Sequence, residues 1–117
     1  MSGTHANPLG IDGFDFVEFA APDSALLHDL FPRLGFIPVA RHRDRRVTLY
    51  RQGQINFLVN EEPDSVAAEF SRTHGPCACG FAIRVANARE AREHALGKGA
   101  EPVPEHASGL AVDTPAI

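Results

Sequence analysis

The stretches GFDFVEFAAP (Gly13–Pro22) and GFAIRVANA (Gly80–Ala88) begin alike, and their likeness decides the fold. Each is followed by a segment with a helical pattern and then by Gly-x-x-Pro-Val, at Gly35–Val39 and at Gly99–Val103. The first pair of blocks is offset by 67 residues and the second pair by 64. Two ordered blocks at nearly one offset indicate a duplicated unit rather than a chance match.

The first copy has the pattern of a strand, a helix and three further strands. Ile11–Ala20 is rich in Phe and Val and predicts a strand. Asp23 or Ser24 can cap the helix that follows, and Gly35 can end it. Leucine and phenylalanine at i, i+3, i+4 and i+7 predict one apolar stripe toward a sheet. The stripe is Leu27, Leu30, Phe31 and Leu34, and the three strands are Phe36–His42, Val47–Arg51 and Gln54–Asn60.

The second copy is shorter. A helix over Asp64–His74 leads into a strand at Cys79–Val85, and Asn87 with Glu90 resembles a capping box that starts another helix. Val103 and Leu110–Val112 are weak strand signals. By the spacing of the first copy, the last strand would fall beyond Ile117. The domain organisation that we predict is a flexible arm (1–10), module one (11–60), a linker helix (61–75) and an incomplete module two (76–117).

Bulk composition excludes several classes of function. The 117 residues suit one domain, and 44% apolar content can build a core. The net charge of −4 argues against a nucleic-acid or membrane partner, since both favour a basic face. No apolar run approaches the ~20 residues of a membrane span, and the N-terminus lacks the apolar core of a signal peptide. Two cysteines are too few for a disulfide framework, so we expect a cytoplasmic setting.

Three blocks carry a family resemblance: NPLGIDGFDFVEFA (Asn7–Ala20), LYRQGQINFLVNEEP (Leu49–Pro63) and HGPCACGFAIRV (His74–Val85). They resemble the N-terminal domain of bacterial 4-hydroxyphenylpyruvate dioxygenases, over almost the whole chain. The resemblance implies the α+β vicinal-oxygen-chelate fold of paired βαβββ modules, with a curved mixed sheet and helices outside. From the spacing above, we expect the second module to be truncated here.

The resemblance also implies a two-domain Fe(II) enzyme that converts 4-hydroxyphenylpyruvate and O₂ to homogentisate and CO₂ in tyrosine breakdown. Its iron would be held by two histidines and a carboxylate in a C-terminal domain, which this chain lacks. We therefore expect no catalytic residue, no cofactor and no metal in this chain. The expected partners are the C-terminal catalytic domain of the same protein and further copies in a homo-oligomer.

Two glycines support that expectation. In metal-binding members of the fold, the first strand of each module carries a ligand, and Gly13 and Gly80 stand at those positions here. If both glycines face the cup, strand alternation places Asp15 and Arg84 there as well. We predict that these two form an ion pair in place of the metal. Alternatively, each is solvated or pairs locally.

Other candidate residues have simpler explanations. His42 and His106 are related by the repeat but come with no third ligand, so they are expected to be ordinary strand-end or loop residues. Cys77-x-Cys79 is expected to be two reduced thiols. The basic run RHRDRR (Arg41–Arg46) could bind an anion or the acidic surface of a partner, but a solvated hairpin turn is the favoured interpretation.

The first functional hypothesis is thus a structural domain whose chemistry is packing. Its predicted core phenylalanines are Phe14, Phe16, Phe19, Phe36, Phe57 and Phe81. The alternative is a stand-alone small-ligand binding or resistance protein that works as a dimer. A metalloenzyme assembled across a dimer ranks last, because it needs ligands that the sequence does not offer.

Overall fold

The structure, a computed structural model, describes residues 6–104. Its elements confirm the predicted order of the first copy, the linker helix and the start of the second copy. Asn87 caps the last helix as predicted, its side chain accepting a hydrogen bond from the Glu90 amide at 3.1 Å. The elements are β1 (Ile11–Ala20), α1 (Ala25–Arg33), β2 (Ile37–Arg41), β3 (Val47–Gln52), β4 (Ile55–Asn60), α2 (Val66–His74), β5 (Cys77–Val85) and α3 (Ala88–Gly97).

The five strands form one mixed sheet in the order β2-β3-β4-β1-β5. A five-residue loop joins β2 to β3 and a two-residue turn joins β3 to β4, and both pairs are antiparallel. β1 and β4 are parallel, because α1, β2 and β3 intervene between them along the chain. β5 adds antiparallel to β1 and forms one edge of the sheet. The predicted α+β class with a mixed sheet is therefore confirmed.

The core lies between α1 and the first-module strands. Leu27 and Phe31 of α1 are buried against Phe36, Tyr50 and Val59. The Phe31 ring lies 5.4 Å from the Tyr50 ring, edge to face. Burying side chains of this size contributes roughly 1.5–3 kcal/mol each, so this half of the sheet holds the fold together.

The predicted apolar stripe of α1 is only half right. The helix rests on the sheet along Leu27 and Phe31, which are one turn apart. Leu30 and Leu34 therefore lie to one side of the contact line and are exposed, as is Leu26. A sequence pattern gives the period of the apolar positions but not the width of the contact.

Three of the predicted core phenylalanines are not in the core, and one of them, Phe16, is half-buried on β1. Phe14 and Phe81 are each 64% exposed, with their rings edge to face at 5.7 Å. They lie on the β1–β5 half of the sheet, whereas the buried core gathers around α1, and α3 has no buried residue. Phe36 is buried, and Phe19 and Phe57 pack partly buried against the core.

The described part of the predicted flexible arm is tied to the sheet. The Asn7 side chain accepts a hydrogen bond from the Ile11 amide at 2.9 Å. The carbonyl of Gly10 accepts one from the Ala86 amide at 2.9 Å. At the other end, Val103 belongs to no strand, and the Leu110–Val112 signal lies outside the described residues.

Candidate functional site

A buried carboxylate lies where β1, β4 and β5 meet. Glu18 is only 8% exposed, although it stands in the apolar run FVEFA. The Asn60 amide, at the end of β4, donates to its Oε2 at 2.8 Å. Burial raises the pKa of Glu18, and the bond from Asn60 offsets only part of that effect. We call Glu18 and Asn60 the buried pair.

β5 covers the other side of the buried pair. Gly80 is the register partner of Glu18, and a Cβ on Gly80 would stand 3.0 Å from the carboxylate. The Cys79 thiol lies 3.6 Å from the Glu18 carbonyl oxygen. Burial, followed by the charges of Glu18 and Cys77, raises the pKa of Cys79 to about 12. Both cysteines are free thiols, and Cys79 is a poor nucleophile at neutral pH.

A second polar group ties α1 to the sheet. The His28 ring lies between the Tyr50 hydroxyl, 2.6 Å from Nδ1, and the Glu61 carboxylate, 3.1 Å from Nε2. Ser24 donates its hydroxyl to the other oxygen of Glu61. A His28 tautomer with its proton on Nε2 would donate to Glu61 and accept from Tyr50. We call these four residues the His28 network.

The His28 network shifts the pKa values of its acidic members. Burial would raise the pKa of Glu61, but bonds from Ser24 and His28, with the charges of His28 and Arg41, lower it overall. Burial and then the charge of Glu61 raise the pKa of Tyr50. The network therefore holds Glu61 ionised and Tyr50 as a neutral phenol. Because Tyr50 is buried, its hydroxyl joins α1 to β3 instead of meeting a ligand.

An open cleft adjoins the network, between the end of β4 and α2. Its charged lining is balanced, since three arginines face three carboxylates. Two of these side chains form hydrogen bonds with the main chain: Arg72 donates to the Pro63 carbonyl, and Glu62 accepts from the Arg46 amide. The charged residues are Arg41, Arg46, Arg72, Glu61, Glu62 and Asp64.

The predicted Asp15–Arg84 ion pair is not formed in the described structure. Arg84 donates to the main-chain carbonyl of Phe14 at 3.0 Å, and the ion pairs among residues 6–104 lie elsewhere. Two register shifts interrupt the β1–β5 ladder between Ile11 and Phe16. Each shift breaks the two-residue alternation on which the pairing was based.

Gly13 and Gly80, which stand where metal-binding members of the fold carry ligands, do not face a common point. Gly80 lies opposite Glu18, whereas Gly13 lies further along β1, at φ +87°, where an added Cβ would meet nothing. A larger side chain at Gly80 would displace the Glu18 carboxylate. Within residues 6–104, no three histidine, cysteine or carboxylate side chains lie close enough to hold a metal ion. The described residues therefore do not fit an iron site.

The remaining histidines have structural surroundings or lie outside the described residues. His42 Nδ1 accepts from the Asp44 and Arg45 amides, each at 3.1 Å, and so shapes the β2–β3 turn. The His74 ring packs on Phe70 at 4.2 Å, and His94 is exposed on α3. His5 and His106 fall outside the described residues.

Sequence reasoning missed the roles of Glu18 and His28. The charge of Glu18 within the apolar run FVEFA was a usable signal, because an ionisable side chain is seldom buried without a partner. His28 had no local signal, because its partners Tyr50 and Glu61 are 22 and 33 residues away. None of the helices in residues 6–104 is long and apolar enough to cross a membrane.

Comparison with known proteins places the chain. The family described as "Hydroxyphenylpyruvate dioxygenase, HPPD, N-terminal" matches residues 5–117. The chain belongs to this family. It is 48% identical over 114 residues to "Hemolysin VllY" of Vibrio vulnificus, covering 95% of this chain and 32% of that protein. It is 43% identical over 113 residues to the 4-hydroxyphenylpyruvate dioxygenase of Pseudomonas sp. strain P.J. 874, covering 97% and 32%.

A solved structure supports the same family. This is a "xylose isomerase-like TIM barrel/4-hydroxyphenylpyruvate dioxygenase fusion protein", which matches with a TM-score of 0.80 at 32% identity. The match covers 98% of this chain and 19% of the fusion protein. The chain thus spans about a third of the curated relatives that it matches, and less of the fusion.

Proposed function

We propose that this chain is the N-terminal, non-catalytic structural domain of a 4-hydroxyphenylpyruvate dioxygenase-like protein. In the whole protein, a C-terminal domain would hold Fe(II) and convert 4-hydroxyphenylpyruvate and O₂ to homogentisate and CO₂. The observation that carries the proposal is the family match over residues 5–117, in a chain that spans about a third of its relatives.

The surroundings of the two glycines support the non-catalytic part of the proposal. Iron sites of this kind need two imidazoles and a carboxylate on one point. Gly80 instead lies against the Glu18 carboxylate, and that carboxylate already accepts a hydrogen bond from the Asn60 side chain. Glu18 and the His28 network therefore have structural roles. Glu18 links β1 to β4 through Asn60, and the His28 network links α1 to β3 through Tyr50.

We further propose a homo-oligomer and a cytoplasmic setting. Exposed apolar side chains on α1 and on the β1–β5 face support association. The two free thiols are consistent with a reducing compartment.

The test compares the complete gene product with residues 1–117 under Fe(II) and O₂, by following homogentisate formation from 4-hydroxyphenylpyruvate. The complete protein should turn over and the 117-residue chain should not. A suitable control is the complete protein with Glu18→Gln, which should keep its activity because Glu18 has a structural role. Iron-dependent turnover by residues 1–117 would refute the proposal.

The fusion structure suggests a second candidate for the whole protein. That protein is a fusion of a 4-hydroxyphenylpyruvate dioxygenase with a xylose isomerase-like barrel, so this domain also occurs in a longer architecture. The mass of the complete gene product separates the two candidates, because the matched domain is 32% of the dioxygenase relative and 19% of the fusion.

A further inference from the structure

The helix α1 presents apolar side chains on two sides. Leu27 and Phe31 point into the core, whereas Leu26, Leu30 and the C-cap residue Leu34 are 40–54% exposed. These three leucines follow one another at intervals of four residues, so they line one side of the helix. We call them the leucine stripe. A single exposed leucine needs no explanation, but three at this spacing, two on the helix and one at its C-cap, form a patch of the kind that contacts another protein surface.

An exposed ion pair borders the leucine stripe. Asp29 and Arg33 pair at 3.2 Å across one helical turn, with both side chains mostly in solvent. Asp29 immediately precedes Leu30 and Arg33 immediately precedes Leu34, so the two charges run parallel to the leucines. A negative charge nearer the start of the helix and a positive charge nearer its end match a second copy of the same helix only when that copy is reversed.

We propose that the leucine stripe is the contact between two copies of this chain, with their α1 helices packed antiparallel about a two-fold axis. Leu30 then packs on its own copy at the axis, and Leu26 meets Leu34 of the second copy. In that register Asp29 lies within about two residues, roughly 3 Å along the helix, of Arg33 of the second copy. A two-fold contact needs one self-complementary patch, which the stripe and its bordering charges provide.

This surface is distinct from the β1–β5 face. That face carries Phe14 and Phe81 and lies at the β5 edge of the described sheet, whereas the leucine stripe lies on α1. The inference rests on the proposed homo-oligomer and not on the proposed dioxygenase activity. Association and turnover are measured separately, so failure of one is distinguishable from failure of the other.

Sedimentation velocity of residues 1–117 from about 1 to about 100 µM, the range of weak complexes, tests the contact. The chain should dimerise, and Leu30→Lys should weaken the dimer at least about tenfold. Val66→Lys, at a comparably exposed position on α2, is the matched control and should leave the dimer unchanged. Phe81→Lys should also leave it unchanged. Circular dichroism checks that each variant is folded.

Charge exchange tests the antiparallel arrangement. Asp29→Arg and Arg33→Asp should each weaken the dimer, and the double variant should restore it to within about threefold. A chain that stays monomeric, a dimer that tolerates Leu30→Lys, or a double exchange that fails to restore association would overturn the proposal. So would a dimer that Phe81→Lys alone abolishes. If Leu30→Lys affects only the complete gene product, the stripe covers another domain and the proposal is wrong.

Discussion

Asn60→Ala tests the buried pair. The amide donates to Glu18 at 2.8 Å and accepts from the Glu62 amide at 3.0 Å, with Asn60 itself almost fully buried. A hydrogen bond to a charged group contributes about 1.5–3 kcal/mol, and leaving the buried Glu18 carboxylate without its donor adds to the loss. At pH 8 we therefore expect Asn60→Ala to lower the free energy of unfolding by about 3 kcal/mol.

The loss should depend on pH. The pKa of Glu18 is raised in the folded state, so the unfolded chain gives up its proton first as the pH rises. The protonated carboxyl therefore contributes its whole stabilisation at pH values below the ordinary glutamate pKa. That contribution is lost as the pH rises through the pKa of Glu18 in the folded chain. Removing Asn60 raises that folded-state pKa further. Near pH 4 the same substitution should cost only about 1 kcal/mol, the worth of neutral hydrogen bonds.

Urea unfolding followed by far-ultraviolet circular dichroism measures both values, since the chain has no tryptophan. Asn56→Ala is the matched control on the same strand. Its amide bonds the Asp15 carbonyl and the Arg51 side chain in exposed surroundings, so it should cost about 1 kcal/mol at both pH values. Equal costs for the two variants, or no pH dependence for Asn60→Ala, would refute the reasoning.

Three further predictions concern packing and reactivity. Phe31→Ala should lower the free energy of unfolding by about 3–5 kcal/mol in urea, because the ring is buried at the centre of the core; a loss below about 1 kcal/mol would place the core elsewhere. Gly80→Ala should destabilise by about 1–3 kcal/mol, because its Cβ would press on Glu18, whereas Gly97→Ala at the end of α3 has open space and should stabilise by about 0.5–1 kcal/mol. The reverse order in thermal unfolding would contradict the register of β5. Cys79, with a pKa of about 12, should react with iodoacetamide at pH 8 at least about a hundredfold more slowly in the folded chain than in urea; equal rates by mass spectrometry would show that it is not buried.

The sequence predicted the elements well where the signal is local. The β1 bounds follow from the phenylalanine and valine run, and the start of α3 from the Asn87 cap. Gly35 follows α1 at φ +92°, a conformation that glycine adopts without strain. These features depend on residues within a few positions of one another, which is why they could be read without a structure.

Features that depend on distant residues were not predictable. The bulges that separate Asp15 from Arg84 arise from the β1–β5 register, which no single strand encodes. Glu18 meets Asn60 from 42 residues away, so its burial follows from the sheet order. Phe14 and Phe81 have core-forming side chains, but whether such residues are buried depends on where the helices pack, and the core gathers around α1 instead.

Iron binding is the most direct test of the central claim that the metal belongs to another domain. Anaerobic equilibrium dialysis with Fe(II) should find no bound iron on residues 1–117 and about one iron for each chain of the complete gene product, as expected for one site of three protein ligands. Stoichiometric binding to residues 1–117 would contradict the account.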